Sequence, residues 1–238
     1  MLTQAQTEAR AAVNSQNAVV ASLAGNDLAL IAPHLQLVEV PREHRLERRG
    51  RAAEFVYFIE RGVACTMADG GHSVEIAMVG REGFVGVSAV LGATHSPHDV
   101  QMLSGGSARR APISAIRELM EESSSFRKAI HQYANRLLLQ VMREAHVNAR
   151  APLEARLARW LLMMHDRLDG DELHLTHDRL AAMLGVRRAG VSVAAKKLER
   201  GGIVMLHRGT IAVCDRTKLE ESSAGWYSAF DRVMRDTI

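Results

Sequence analysis

The chain has 238 residues, 47% of them hydrophobic and only 4% aromatic, so leucine, valine, alanine and methionine must fill its cores. Its net charge of +3 is small for the length, so any basic character must be local. Two cysteines, Cys65 and Cys214, lie far apart outside any CxxC pattern, which excludes a disulfide framework and fits a reducing cytoplasm. No apolar run approaches the ~20 residues that span a bilayer, and the N-terminus lacks the basic and apolar regions of a signal peptide.

Residues 1–16 are polar and rich in alanine and glutamine, and read as a frayed helix or a disordered arm. Val19, Val20, Leu23 and Leu28 predict one or two short helices across 17–30. Residues 35–40 alternate in polarity as a strand does, and Pro41 ends them. Residues 54–59 and 63–67 flank Glu60-Arg61-Gly62 as a hairpin, and Asp69-Gly70-Gly71 is a second turn before 73–79. Gly80, Gly83, Gly86 and Gly92 then punctuate short apolar pieces, and two further strands, 100–103 and 108–111, enclose a turn. Many short strands with glycine punctuation predict an antiparallel β-roll or jelly roll.

A short helix follows Pro112 across 113–120, and a long one is predicted across 126–148. Ile130, Tyr133, Leu137, Val141 and Ala145 recur along it every three or four residues, an apolar stripe that needs a partner. Ala149-Arg150-Ala151-Pro152 breaks the pattern. The domains so expected are 1–122, the β-roll with its N-terminal segment; 123–150, the long helix; and 151–238, a C-terminal domain.

That last domain opens with an amphipathic helix, 153–168, whose apolar face is Leu157, Trp160, Leu161 and Met164. A brief strand, 173–175, leads to Thr176, a helix N-cap candidate, with Leu180, Ala181 and Leu184 at helical spacing and Gly185 as terminator. A second helix, 187–200, carries Val191, Ala195 and Leu198 on one face and leaves Arg187, Arg188, Ser192 and Lys196 on others. Two strands, 203–206 and 210–213, joined by His207-Arg208-Gly209, complete helix, turn, helix and β-hairpin: a winged helix-turn-helix. Residues 173–213 hold seven arginines and lysines against two acidic residues, the footprint of a DNA-binding surface. A last helix is expected across 216–221, with Trp226 and Phe230 as core anchors beyond it.

The run Leu175-Thr176-His177-Asp178-Arg179-Leu180-Ala181-Ala182-Met183-Leu184-Gly185-Val186-Arg187-Arg188, continued by Lys196-Lys197-Leu198-Glu199-Arg200-Gly201-Gly202-Ile203-Val204, resembles the DNA-binding domain of the cyclic-AMP receptor/FNR (Crp/Fnr) family of bacterial transcription regulators. Phe55-Val56-Tyr57-Phe58-Ile59-Glu60-Arg61-Gly62-Val63 and Gly80-Arg81-Glu82-Gly83-Phe84-Val85-Gly86 look like signatures of its cyclic-nucleotide-binding-like domain. The resemblance implies an α+β protein: an N-terminal antiparallel β-roll, a long dimerisation helix and a C-terminal winged helix-turn-helix. It implies a homodimer joined through Ile130, Tyr133, Leu137 and Val141, double-stranded DNA as partner, and RNA polymerase as a further one.

Phosphate contacts are expected from Thr176, His177, Lys196, His207 and Arg208, and base contacts from Arg188, Ala189 and Val193, with Arg187 and Ser192 beside them. The effector pocket is expected at Gly83, Phe84, Val85 and Gly86. Cyclic-AMP binders of the family use a glutamate after the cassette glycine and a later arginine. Here Phe84-Val85 follows Gly83 and residues 94–101 hold no arginine, which argues against cyclic AMP and leaves the effector unidentified. The alternative is a small-molecule-binding module that acts through protein partners without DNA.

Enzyme motifs are absent: no GxSxG, no GxxxxGK[ST] and no HExxH. His95 and His98 have only Asp99 nearby and read as a polar loop rather than a metal site. No cysteine precedes Cys65, which disfavours an iron–sulfur cluster, and no cofactor is expected.

Overall fold

The computed structural model describes residues 13–68, 74–227 and 231; residues 1–12, the turn Asp69-Gly70-Gly71 and Phe230, on which three of the expectations above fall, lie outside them. The described residues fall into two compact units, one of residues 13–66 and 78–140, the other of 67–68, 74–77, 141–227 and 231.

In the first unit a one-turn helix, α1 (Ala18–Ala21), is capped by Asn17. The Asn17 side chain accepts from the Val19 and Val20 amides and donates to the carbonyls of Ile59 and Gly83, so a fully buried amide has every group satisfied. Helix α2 (Gly25–Ile31) follows, and a 3-10 turn (Ala32–His34) leads into strand β1 (Gln36–Val40). The strands after it are β2 (Arg45–Glu47), β3 (Phe55–Arg61), β4 (Ala64–Ala68), β5 (Val74–Val79) and β6 (Phe84–Val85). A short helix α3 (Val87–Val90) precedes β7 (Asp99–Met102) and β8 (Gly106–Pro112).

They form two four-stranded sheets, ordered β1-β8-β3-β6 and β2-β7-β4-β5. Every pairing with a described register is antiparallel, as the alternating pattern predicts. The sequence pattern did not reveal β2, β6 or α3, whose two to four residues are too few to carry a period. Cys65 is fully buried on β4 as a small core residue, whereas Cys214 is exposed.

Helix α4 (Ile113–Glu122) and the 27-residue helix α5 (Ser124–Arg150) follow the strands. At 1.5 Å per residue α5 is about 40 Å long. Its first half lays Phe126, Ile130 and Tyr133 into the β-roll core, all 2% exposed or less. This corrects the expected seam: Ile130 and Tyr133 have no surface left for a second copy, and Leu137 is half-buried against the same core. The large exposed apolar side chains of α5 are Leu138, Leu139 and Met142, at 56%, 43% and 61%. Leu138 and Met142 continue into Ala145 and Ala149 at steps of four, three and four residues, the spacing of a coiled-coil seam.

The second unit contains α6 (Leu153–His165), β9 (Glu172–Leu173), α7 (His177–Leu184), α8 (Arg188–Arg200), β10 (Val204–His207), β11 (Thr210–Val213) and α9 (Arg216–Ser222). Its sheet has the order β10-β11-β9. The brief strand before Thr176 is thus 172–173 rather than 173–175. Leu157, Trp160, Leu161 and Met164 of α6 are buried as expected. Trp226 packs its ring against His146 at 5.4 Å between centroids.

A buried polar network ties this unit together. Arg159 donates to Glu144 Oε1 at 2.6 Å and to Asp231 Oδ1 at 2.7 Å, and Trp160 Nε1 donates to Glu75 Oε2 at 3.0 Å. Burial first, then the nearby Glu144 carboxylate, pushes the Glu75 carboxyl up from 4.5 to about 8. The native state therefore holds a proton that the unfolded chain releases near 4.5. The resulting stabilisation is full below that value and is lost as pH rises through about 8. Glu75→Gln keeps an acceptor for Trp160 and removes the titration. Wild-type stability should fall by up to about 1.4 kcal/mol per pH unit across this window, and the variant's should not. Chemical denaturation at several pH values checks this; parallel slopes for the two proteins would contradict it.

Candidate nucleic-acid interface

The interface begins with a cap. Thr176 Oγ1 accepts from the Arg179 amide at 3.2 Å and starts α7, which holds Leu180, Ala181, Met183 and Leu184 inside. Gly185 ends the helix in the left-handed region, φ 63°, and the Val186 amide returns to the Ala181 carbonyl at 2.9 Å. This turn aims α8, which starts one residue later than its pattern suggested, with Arg187 as its N-cap.

Val191, Ala194, Ala195 and Leu198 bury one face of α8. Gly190 lets that face close on α6: a Cβ there would lie 3.0 Å from Leu153 Cδ2. The opposite face carries Arg188, Ala189, Ser192, Val193 and Lys196, at i, i+1, i+4, i+5 and i+8, all exposed except the half-buried Ser192. Val193 is 71% exposed, which no packing role explains. His177 Nδ1 lies 3.0 Å from Ser192 Oγ, so the first turn of α7 is locked to this face. Arg188 Nε is 3.5 Å from Asp178 Oδ1, with both side chains 67% exposed, a loose contact that a ligand can displace.

Strands β10 and β11 pair from Val204↔Val213 to His207↔Thr210. Arg208 and Gly209 are the two turn residues, and Gly209 takes φ 80°. His207, expected in the turn, is the last residue of β10, and both it and Arg208 are exposed. The structure thus brings Thr176, His177, Arg187, Arg188, Ala189, Ser192, Val193, Lys196, His207 and Arg208 into one unit, on α7, α8 and the wing. Lys197, counted in the local charge, is engaged elsewhere, 2.6 Å from Glu154.

The residues expected to form an effector pocket lie inside the β-roll. Phe84 and Val85 are core, 0% and 3% exposed. The Phe84 ring packs between Phe58 and Tyr133, with centroids 5.3 and 4.6 Å away. Tyr133 stands so close over Gly83 that a Cβ there would lie 2.1 Å from its ring. Gly86 caps α3 at φ 118°.

Sequence reasoning missed Glu47. Its buried carboxylate accepts from Ser96 Oγ at 2.6 Å and from the Gly86 backbone N–H, although burial raises its pKa. Nothing in the sequence links Glu47 to Ser96, 49 positions away. His95 stays in an exposed loop, its Nδ1 3.0 Å from Thr94 Oγ1.

Residues 155–222 match the family model of the Crp-like helix-turn-helix domain, and residues 37–123 match that of the cyclic nucleotide-binding domain. No curated protein matches the chain. Among solved structures, a CRP-family transcriptional regulator from Thermus thermophilus is 18% identical, with a TM-score of 0.70 over 81% of this chain and 99% of its own. FixK2 from Bradyrhizobium japonicum is 16% identical, with a TM-score of 0.68 over 79% and 96%. The c-di-GMP-responsive global regulator CLP from Xanthomonas campestris is 17% identical, with a TM-score of 0.64 over 80% and 99%. At these identities the structures share the fold. With a cyclic-nucleotide-binding domain, a long helix and a Crp-like helix-turn-helix in order along it, the chain belongs to the Crp/Fnr family of DNA-binding transcription regulators.

Proposed function

We propose that the protein is a homodimeric regulator that reads duplex DNA with α8, and that its sensing domain does not use cyclic AMP. The observation that carries the first part is the exposed face of α8, where two cations, two small apolar side chains and a hydroxyl lie together. In this reading Thr176, His177, Lys196, His207 and Arg208 hold phosphates, with Arg187 beside them, and Ser192 orients His177. Arg188 grips guanine O6 and N7 with two parallel bonds, while Ala189 and Val193 offer only methyl groups, which suit thymine. Selection from a random duplex library tests this assignment. Wild type should recover half-sites with one guanine and a thymine preference beside it. Arg188→Ala should lose about 1–3 kcal/mol and the guanine. An unchanged selected sequence for the variant would refute the assignment.

The dimer reading rests on Leu138 and Met142, two large apolar side chains exposed on one face of a 27-residue helix. A parallel two-fold partner would cover them together with Ala145, and Val141 lies half-buried beside them. Leu138→Glu would bury a charge against its own copy. We expect a monomer by sedimentation with unit 1 still folded; a variant that stays dimeric would place the seam elsewhere.

The case against cyclic AMP is electrostatic. The Gly86 amide, in the segment expected to receive the effector, already donates to the buried Glu47 carboxyl and is not free to hold a phosphate. Residues 94–101 supply no arginine to hold one. Calorimetric titration with cyclic AMP should show no binding at micromolar concentration; a micromolar Kd would overturn the reading.

A further inference from the structure

The first unit carries a second group of cations. Five arginines, Arg42, Arg45, Arg48, Arg49 and Arg51, lie within ten residues, and all are exposed. Other arginines of this unit are engaged. Arg109 meets Glu60 at 2.9 Å, Arg61 meets Glu39 at 3.5 Å, Arg110 donates to Gln36 and covers the Phe55 ring, and Arg117 donates to the Ala89 carbonyl. Among the described residues, Arg42, Arg48 and Arg51 have no such partner, and Arg45 reaches Asp99 only at 4.0 Å.

The loop that bears them is held rigid. The Gly50 amide donates to the Ser96 carbonyl at 2.9 Å and the Ser96 amide to Arg51 at 2.8 Å. The Arg49 amide donates to Asp99 Oδ1 at 3.1 Å, the Glu43 amide to Met102, and Met102 back to His44. The buried Glu47–Ser96 bond fixes the strand between the two halves of the loop. The frame fixes where the guanidinium forks leave the backbone, and each fork matches a planar carboxylate with two bonds.

We infer that the 42–51 loop is a docking surface for an acidic polypeptide segment. The interspersed Glu43 and Asp99 favour a polypeptide over a nucleic acid. A duplex presents a charge about every 1.7 Å and would meet these carboxylates, whereas a peptide can space its acids around them. The loop belongs to the first unit and α8 and the wing to the second, so the inference is tested with different residues from the DNA reading.

Fluorescence anisotropy of the full-length protein with a labelled peptide of alternating glutamate and alanine tests the inference. Arg48→Glu/Arg51→Glu should weaken peptide binding about tenfold or more while leaving duplex affinity unchanged. Arg48→Gln/Arg51→Gln, which reverses no charge, should fall between that variant and wild type at an unchanged melting temperature. Three results would overturn the inference: no peptide binding by wild type, loss of peptide binding on Arg187→Glu/Arg188→Glu instead, or an equal loss of duplex affinity in the loop variants.

Discussion

The close stacking of Tyr133 on Gly83 constrains much of the first unit. No side chain larger than hydrogen fits at position 83 while the Tyr133 ring lies where a Cβ would be. That contact, with the Phe58–Phe84–Tyr133 cluster behind it, fixes the rotation of α5 about its axis. Once Phe126, Ile130 and Tyr133 face inward, helical geometry turns Leu138 and Met142 outward. The same packing fills the place where an effector was expected with aromatic side chains. One packing decision thus shapes both the candidate dimer face and the candidate sensor.

In the second unit the organising element is the α7–α8 turn. The Thr176 cap, the left-handed Gly185 and the Val186–Ala181 bond set the angle at which α8 leaves. Leu153 against Gly190 and the Arg156 guanidinium on the Leu184 carbonyl brace both helices on α6. Apart from Ser192, which meets His177, the outward side of α8 carries exposed side chains that pack against nothing in the core. Placing Val193 in solvent gains no hydrophobic burial, so its presence is better explained by a partner than by stability.

Sequence reading succeeded where a feature is local. A threonine before a helical pattern, a glycine after it and a tight turn between two strands are decided within a few residues, and α7, α8 and the wing followed from them to within a residue or so. It failed where two answers share one period. Helix α5 has one apolar stripe through Ile130, Tyr133 and Leu137 and another through Leu138, Met142 and Ala145. Periodicity does not say which of these meets the β-roll. The packing of Phe84 and Val85 was not legible for a related reason, since a family signature marks a backbone path and not what fills the space beside it. Glu47 was invisible because its meaning depends on Ser96 and Gly86, which only the folded β-roll brings to it.

The central claim is that α8 and the wing bind DNA through phosphates and base edges as a pair of units related by α5. Equilibrium binding of the purified protein to a labelled duplex across a salt series tests it most directly. Arg187, Lys196 and Arg208 from each of two copies would neutralise roughly six phosphates, which predicts a log–log slope on the order of −5 at two chains per duplex. A slope near zero, or saturation by a single chain, would contradict the account.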